Sequence, residues 1–208
     1  LKGNYKLTAD IDLDGAEWKP SKNYGLFDGG GFKVSNFTVK TLSDNSIGFF
    51  TENFGTVRNL ILSDFTLSAE TFGSITAGGT VARNYGKIAY CKTAGIINVE
   101  SKSSIIIAGG IAGNTNTGEI SSCYAQVNIT ATSFASRVYA GGIAASVSAG
   151  KISGCYTTGI INGVTGGTVS SVAYLYGIAP YAEHSFSMCD VTTKDRSMQI
   201  TLAAAGAA

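Results

Sequence analysis

One short segment of the chain recurs at an almost constant spacing. Segments that begin Ala-Gly-Gly start at Ala77, Ala108 and Ala140. Each is followed by Gly-Lys-Ile or Gly-Glu-Ile, and a cysteine comes shortly after each of these isoleucines. A fixed period of roughly 30 residues is typical of repeat proteins, in which each repeat is one structural unit that stacks on the previous one.

The composition favours strands over helices. Charged residues make up only 14% of the chain, whereas glycine occurs 27 times. Three short strands and three turns fit a period of about 31–32 residues, and right-handed crossovers dominate parallel pairing. We therefore predict an all-β fold: a right-handed parallel β-helix of about six to seven coils. Residues 1–202 are expected to form one domain, and the Ala/Gly stretch 203–208 a linker or an added tail.

Extending the repeat in both directions predicts two apolar columns in the core. The first contains the cysteine positions: Phe37, Leu60, Cys91, Cys123, Cys155 and Cys189. The second lies slightly earlier in each repeat: Val34, Val57, Ile88, Ile120, Ile152 and Phe186. Since Leu and Phe occupy the cysteine position in earlier coils, the cysteines are expected to be small core residues with free, buried thiols. A disulfide and a metal site are the alternatives, although zinc ligands usually come in close local pairs.

The repeat motifs resemble the GLUG repeats of bacterial surface proteins. The matching segments are Ile47-Gly-Phe-Phe, Gly109-Gly-Ile-Ala-Gly and Gly141-Gly-Ile-Ala-Ala. Tyr5–Leu13 and Phe27–Val39 look like the coil that commonly precedes such repeats. The resemblance covers about residues 5–190. It implies a β-helix in an adhesin-like cell-surface protein, and similar repeats accompany secreted immunoglobulin A peptidases.

The chain departs from the family pattern at one position. The asparagine before the cysteine position is kept at Asn36 and Asn59, and other residues replace it afterwards, namely Tyr90, Ser122, Gly154 and Met188. A continuous asparagine ladder is therefore not expected in the later coils. His184 is the single histidine, and it is interpreted as a substitution in a degenerate last repeat.

The acidic residues near the start suggest two other chemistries. Asp10, Asp12 and Asp14 resemble the beginning of a calcium loop, but the twelfth position is Ser21 and not an acid. Their alternation with apolar residues favours the outward face of a strand, with weak calcium binding as the alternative. With Glu17 and Asp28, they could also belong to a degenerate carbohydrate-active enzyme. We expect no catalytic residue, no metal and no cofactor.

Two tyrosines are candidate surface contacts. Tyr124 and Tyr156 directly follow Cys123 and Cys155, so they should lie in register on adjacent coils. They could form a contact strip, or they could simply cover the turn beside the core.

The expected function is non-catalytic. The chain is predicted to be a module of a secreted or cell-surface bacterial protein that acts in adhesion or as a rigid binding scaffold. Its partner would be a protein or glycan on host or neighbouring cells, and the module would continue into further domains of a longer chain. An accessory region of a secreted protease is the alternative. A net charge of +1 gives no electrostatic reason to expect nucleic acid, and no apolar run is long enough to span a bilayer.

Overall fold

The computed structural model describes residues 1–41, 45–166 and 171–193. The predicted tail 203–208 lies outside them. Within these ranges, the regular elements are all β-strands. In chain order they are β1 (Tyr5–Lys6), β2 (Ile11–Asp12), β3 (Ser21–Asn23), β4 (Leu26–Asp28), β5 (Lys33–Thr41), β6 (Ser46–Asn53), β7 (Thr56–Arg58), β8 (Ile61–Thr71), β9 (Ile75–Asn84), β10 (Lys87–Ala89), β11 (Lys92–Ser101), β12 (Ile106–Gly109), β13 (Ala112–Thr115), β14 (Glu119–Ser121), β15 (Tyr124–Ser133), β16 (Val138–Gly141), β17 (Ala144–Val147), β18 (Lys151–Ser153), β19 (Tyr156–Thr165), β20 (Ala173–Tyr176) and β21 (Phe186–Thr193).

The strands form three parallel sheets that wrap around one core. Sheet A has the order β1-β4-β7-β10-β14-β18, and sheet B has the order β2-β5-β8-β11-β15-β19-β21. Sheet C contains the remaining eight strands. The chain passes from A to B to C and back, so the predicted β-solenoid is confirmed. It has about five full coils, from β4 to β20, between a first coil of short strands and the last strand β21. The handedness stays a prediction.

Each coil contributes one side chain to each interior column. In sheet A, Ile88 pairs with Val57 and with Ile120, and Ile120 pairs with Ile152. All four are at most 2% exposed. Because each of these coils places its residue directly above the last, the core of the central coils is a stack of similar layers that excludes water.

The predicted cysteine column is correct in the central coils and wrong at its ends. The register of β8, β11, β15 and β19 stacks Leu60 beneath Cys91, Cys123 and Cys155. In the next coil Ser185 follows, and its Oγ accepts a hydrogen bond from the amide of Cys155 at 3.0 Å. Cys189 instead pairs with Gly159 in sheet B.

Three further column assignments were wrong. Phe37 pairs with Phe65. Val34 was predicted to lie opposite Val57, but it pairs with Leu62 in sheet B. Phe27 is the residue that lies opposite Val57. Phe186 pairs with Tyr156 and is 60% exposed.

The errors have one physical cause. The assignments took the chain from Val34 to Val57 as one coil, which is too short, and the chain from Ile152 to Phe186 as another, which is too long. A coil of the solenoid needs a nearly constant perimeter, because its strands must pair in register with those of the next coil. The observed coils at these two places run from Phe27 to Val57 and from Tyr156 to Phe186, and they have the same length.

The Ala-Gly-Gly motif marks a close approach of sheets B and C. A Cβ atom on Gly110 would lie 2.1 Å from the carbonyl oxygen of Gly142 and 2.9 Å from the Cβ of Ala125. The hydroxyl of Thr93 in sheet B donates to the Gly110 carbonyl at 3.0 Å. Only glycine therefore fits at this position of the repeat.

In successive coils, the residue at the corner between sheets A and B has a left-handed backbone conformation. The residues there have φ between 46° and 60°: Asn59, Tyr90, Ser122, Gly154 and His184. His184 therefore occupies the same turn position as Gly154. Asn36, which was predicted to share this position, lies within β5, and Met188 lies within β21.

Candidate functional site

A buried asparagine ladder joins the first three coils of the chain. The side-chain amide of Asn23 donates to Asn53 Oδ1 at 2.9 Å, and Asn53 Nδ2 donates to Asn84 Oδ1 at 2.8 Å. All three residues are 0% exposed. Sequence reasoning missed this ladder, although an Asn-(Tyr/Phe)-Gly motif marks it at residues 23–25, 53–55 and 84–86. Its role is structural, because it satisfies buried polar groups at the corner between sheets C and A.

The cysteine column, defined here as Cys91, Cys123 and Cys155, is also structural. All three thiols are free and buried, whereas Cys189 is half-buried. The neighbouring thiols of Cys155 and Cys91, together with burial, raise the pKa of Cys123. A protonated thiol with no access to solvent is a poor nucleophile and a poor metal ligand.

The acidic residues of the first coils stabilise turns. The pKa of Asp28 is lowered by hydrogen bonds from the Gly30 amide, from Asn59 and from Arg58. The pKa of Asp12 is lowered by the backbone amide of Asp14 and by the side chain of Asn36. Both carboxylates are therefore ionised and already hydrogen-bonded within the fold.

Two further acids of this group, Asp10 and Glu17, are also hydrogen-bonded within the fold. Asp10 Oδ1 accepts a hydrogen bond from the backbone amide of Lys33 at 2.8 Å. Lys19 hydrogen-bonds to Glu17 and lowers its pKa. Across the described ranges, no three His, Cys, Asp or Glu side chains are grouped so that they could hold a metal ion. The same ranges contain no helix with the length and apolar character needed to cross a membrane.

Three aromatic rings lie in register on the outward face of sheet B. Tyr124 pairs with Tyr156, and Tyr156 pairs with Phe186. The ring centroids are 5.3 and 5.7 Å apart, with interplanar angles of 11° and 2°. This aromatic strip, Tyr124-Tyr156-Phe186, thus extends the predicted tyrosine pair by one ring.

The strip presents ring edges and polar atoms to solvent. Each ring is stacked on the next, so much of each face is covered by its neighbour. The hydroxyl of Tyr124 lies 3.0 Å from Thr158 Oγ1, and that of Tyr156 donates to the Met188 sulfur at 3.1 Å. Met188 is 63% exposed, so it extends the apolar surface beside Phe186.

A shallow groove adjoins the strip. It has a volume of about 540 Å³, and its lining includes Asp64, Ile96, Gln126 and Asn128. Gln126 lies shortly after Tyr124, on the same outward face of β15. Exposed amides beside aromatic rings offer both hydrogen bonds and contact area, which is the chemistry of a protein or glycan contact.

Comparison with known proteins found a solved structure with a similar fold. No protein-family model matches the chain, and no curated protein matches it. The similar structure is that of a "putative immunoglobulin A1 protease from Bacteroides ovatus", with a TM-score of 0.47 and 19% sequence identity. The similarity covers 92% of this chain and 70% of that one.

Proposed function

We propose that this protein is a non-catalytic β-helical module that serves as a rigid binding scaffold, with the aromatic strip and its groove as the ligand surface. The observation that carries this proposal is the register of Tyr124, Tyr156 and Phe186 on one outward face. Tyrosine gives a large contact area at a low cost in side-chain entropy. Rings that are already fixed by the strands beneath them lose little further freedom when a ligand binds.

We further propose that the module acts in adhesion, outside the cell or on a bacterial cell surface. Its ligand would be a protein or glycan on a host or neighbouring cell. The resemblance of the repeats to those of bacterial surface proteins supports this location. A stack of coils also suits the task mechanically, since each coil is hydrogen-bonded to the next along the axis.

The lowered pKa values of three acids in the first coils argue against a catalytic role for those three. Hydrolysis of a glycosidic bond requires a general acid whose pKa is raised so that it keeps its proton near neutral pH. Asp12, Glu17 and Asp28 have lowered pKa values instead. They are therefore poorly suited to that role.

A matched pair of double variants tests the proposed surface. Tyr124→Ser/Tyr156→Ser removes two rings of the strip. Tyr139→Ser/Tyr174→Ser is the control, because these tyrosines form an equivalent stacked pair on sheet C, with centroids 4.8 Å apart. Binding of fluorescently labelled protein to a glycan array and to cultured epithelial cells is measured for both variants and for the original protein.

The expected result is that the strip variant loses binding at least tenfold while the control keeps it. Circular dichroism checks that both variants are folded. Equal loss in the two variants would contradict the assignment of the surface to sheet B. If the original protein binds neither glycans nor cells, the adhesion proposal is wrong.

A further inference from the structure

We propose a second binding site, separate from the aromatic strip: a pocket in the first three coils that binds a carboxylated monosaccharide. It lies where sheets B and C meet, and its volume is about 380 Å³. Its lining includes Trp18, Lys22, Lys40, Glu52 and Arg83. Pockets for small ligands typically begin at about 300 Å³, so one sugar ring fits.

The register of three strands builds one wall of this pocket. Lys22 of β3 pairs with Glu52 of β6, which in turn pairs with Arg83 of β9. The three side chains thus project from successive coils on the same face of sheet C. Lys40, near the end of β5, contributes from sheet B.

The described lining of the pocket has more cations than carboxylates: Lys19, Lys22, Lys40 and Arg83 against Glu17 and Glu52. Glu52 pairs with Lys22 at 2.8 Å, and a second ion pair joins Lys19 to Glu17 at 2.5 Å. Among the described residues, neither Lys40 nor Arg83 forms an ion pair. The pocket is therefore positive, which favours an anionic group.

Arg83 is held in place by neutral partners. Its guanidinium donates to the hydroxyl of Ser46 and, at 3.5 Å, to that of Thr76. These contacts fix the side chain without neutralising its charge. A planar guanidinium matches a carboxylate with two parallel hydrogen bonds, so Arg83 is the residue expected to bind the acid group.

Trp18 makes a sugar acid a better ligand than a simple anion. One face of its indole stacks on Phe49, with centroids 4.5 Å apart, and its Nε1 donates to the Phe49 carbonyl at 2.7 Å. The indole is therefore a fixed apolar wall. Asn45 and Thr51 also line the pocket and offer polar atoms to ring hydroxyls. A fixed aromatic surface with a few polar groups is the usual design of a small-molecule pocket.

The two sites use different parts of the solenoid. The pocket residues come from β3, β5, β6, β9 and the segments directly before β3 and β6, whereas the strip lies on β15, β19 and β21. A failure of one proposal therefore leaves the other standing.

Isothermal titration calorimetry with three probes tests the pocket. The intact chain is titrated with D-glucuronate, D-glucose and inorganic phosphate. D-Glucuronate is expected to bind at least tenfold more tightly than D-glucose, because only the former has a carboxylate for Arg83. It should also bind more tightly than phosphate, which gains nothing from the indole wall.

Variants locate the binding. Arg83→Gln is expected to weaken D-glucuronate binding about tenfold or more, because it removes one charge-assisted hydrogen-bonded pair. Lys40→Gln should weaken it less, and it remains informative if Arg83→Gln does not fold, because Lys40 is exposed. Arg137→Gln is the control, since Arg137 is exposed and lies outside the pocket.

Four outcomes would overturn the proposal. They are no heat of binding with D-glucuronate at about 10 mM, equal affinity for D-glucose, equal affinity for phosphate, and an affinity that neither Arg83→Gln nor Lys40→Gln changes. Thermal unfolding of each variant separates a loss of binding from a loss of fold.

Discussion

Replacing Asn53 by alanine tests whether the buried asparagine ladder stabilises the first coils. Asn53 is the middle member: it accepts a hydrogen bond from Asn23 and donates to Asn84 Oδ1 at 2.8 Å. It also donates to the carbonyl of Lys87 at 3.3 Å. Alanine removes all three bonds at once, in a place that is 0% exposed.

The expected loss follows from the groups left behind. Asn84 Oδ1 would be buried without its donor, at a cost of about 1–3 kcal/mol. The empty space of the missing amide adds about 1 kcal/mol. We therefore expect Asn53→Ala to lower the free energy of unfolding by about 3 kcal/mol. For a chain of this size, that lowers Tm by about 6–12 °C.

Urea unfolding followed by circular dichroism and intrinsic fluorescence measures the change. Asn98→Ala is the control, because Asn98 is exposed on sheet B and the same atoms are removed. It should change the free energy of unfolding by less than about 0.5 kcal/mol. If Asn53→Ala costs less than about 1 kcal/mol, or if Asn98→Ala costs as much, the ladder does not stabilise the fold as argued.

Three other changes test the packing and the electrostatics. A thiol reagent should label half-buried Cys189 in the folded protein, and it should label the cysteine column only after denaturation, as measured by mass spectrometry. Cys123→Asp should lower the free energy of unfolding in urea by several kcal/mol, because it buries an unpaired charge. Gly110→Ala should cost about 3 kcal/mol or prevent folding. Gly73→Ala should be nearly neutral, because a Cβ there would make only an ordinary contact with Thr71 Oγ1 at 3.7 Å. Asp28→Asn should destabilise the protein at pH 7. That difference should shrink as the pH falls below about 4, because a carboxylate with a lowered folded pKa stabilises only while it is ionised.

The interior of the central coils could be predicted because it repeats. Each coil needs an apolar residue at the position of Ile88, Ile120 and Ile152, and the chain there returns with the same step each time. The ends could not be predicted in the same way. Near Val34 and Phe186 the coils are slightly shorter than in the centre. The predicted coil lengths at these two places were wrong, so each residue was assigned to the wrong sheet. The sequence repeat therefore predicts which residues share a core column only where the number of residues per coil is constant.

The asparagine ladder was missed for a different reason. Its Asn-(Tyr/Phe)-Gly motif occurs only in the first three coils, and the next coil has Thr115 at this place. The more conspicuous repeat of glycines and cysteines begins at Ala77, and of the motif's residues it contains only those at 84–86. The N-terminal pocket had no sequence signal at all, because its residues come from strands that are distant in the chain and its shape depends on a non-repeating corner.

The proposed binding role of the aromatic strip rests on side chains that vary along a repeating backbone. The residue after the cysteine position faces outward in every coil, and from β5 to β21 it is Lys33, Ile61, Lys92, Tyr124, Tyr156 and Phe186. The first three of these show that the strand does not need an aromatic residue at this position. Stacking between neighbours adds at most about 1 kcal/mol per pair, and it does not require exposed rings. The three consecutive rings at this position are therefore a local property of the last coils, which supports the proposal that they serve recognition.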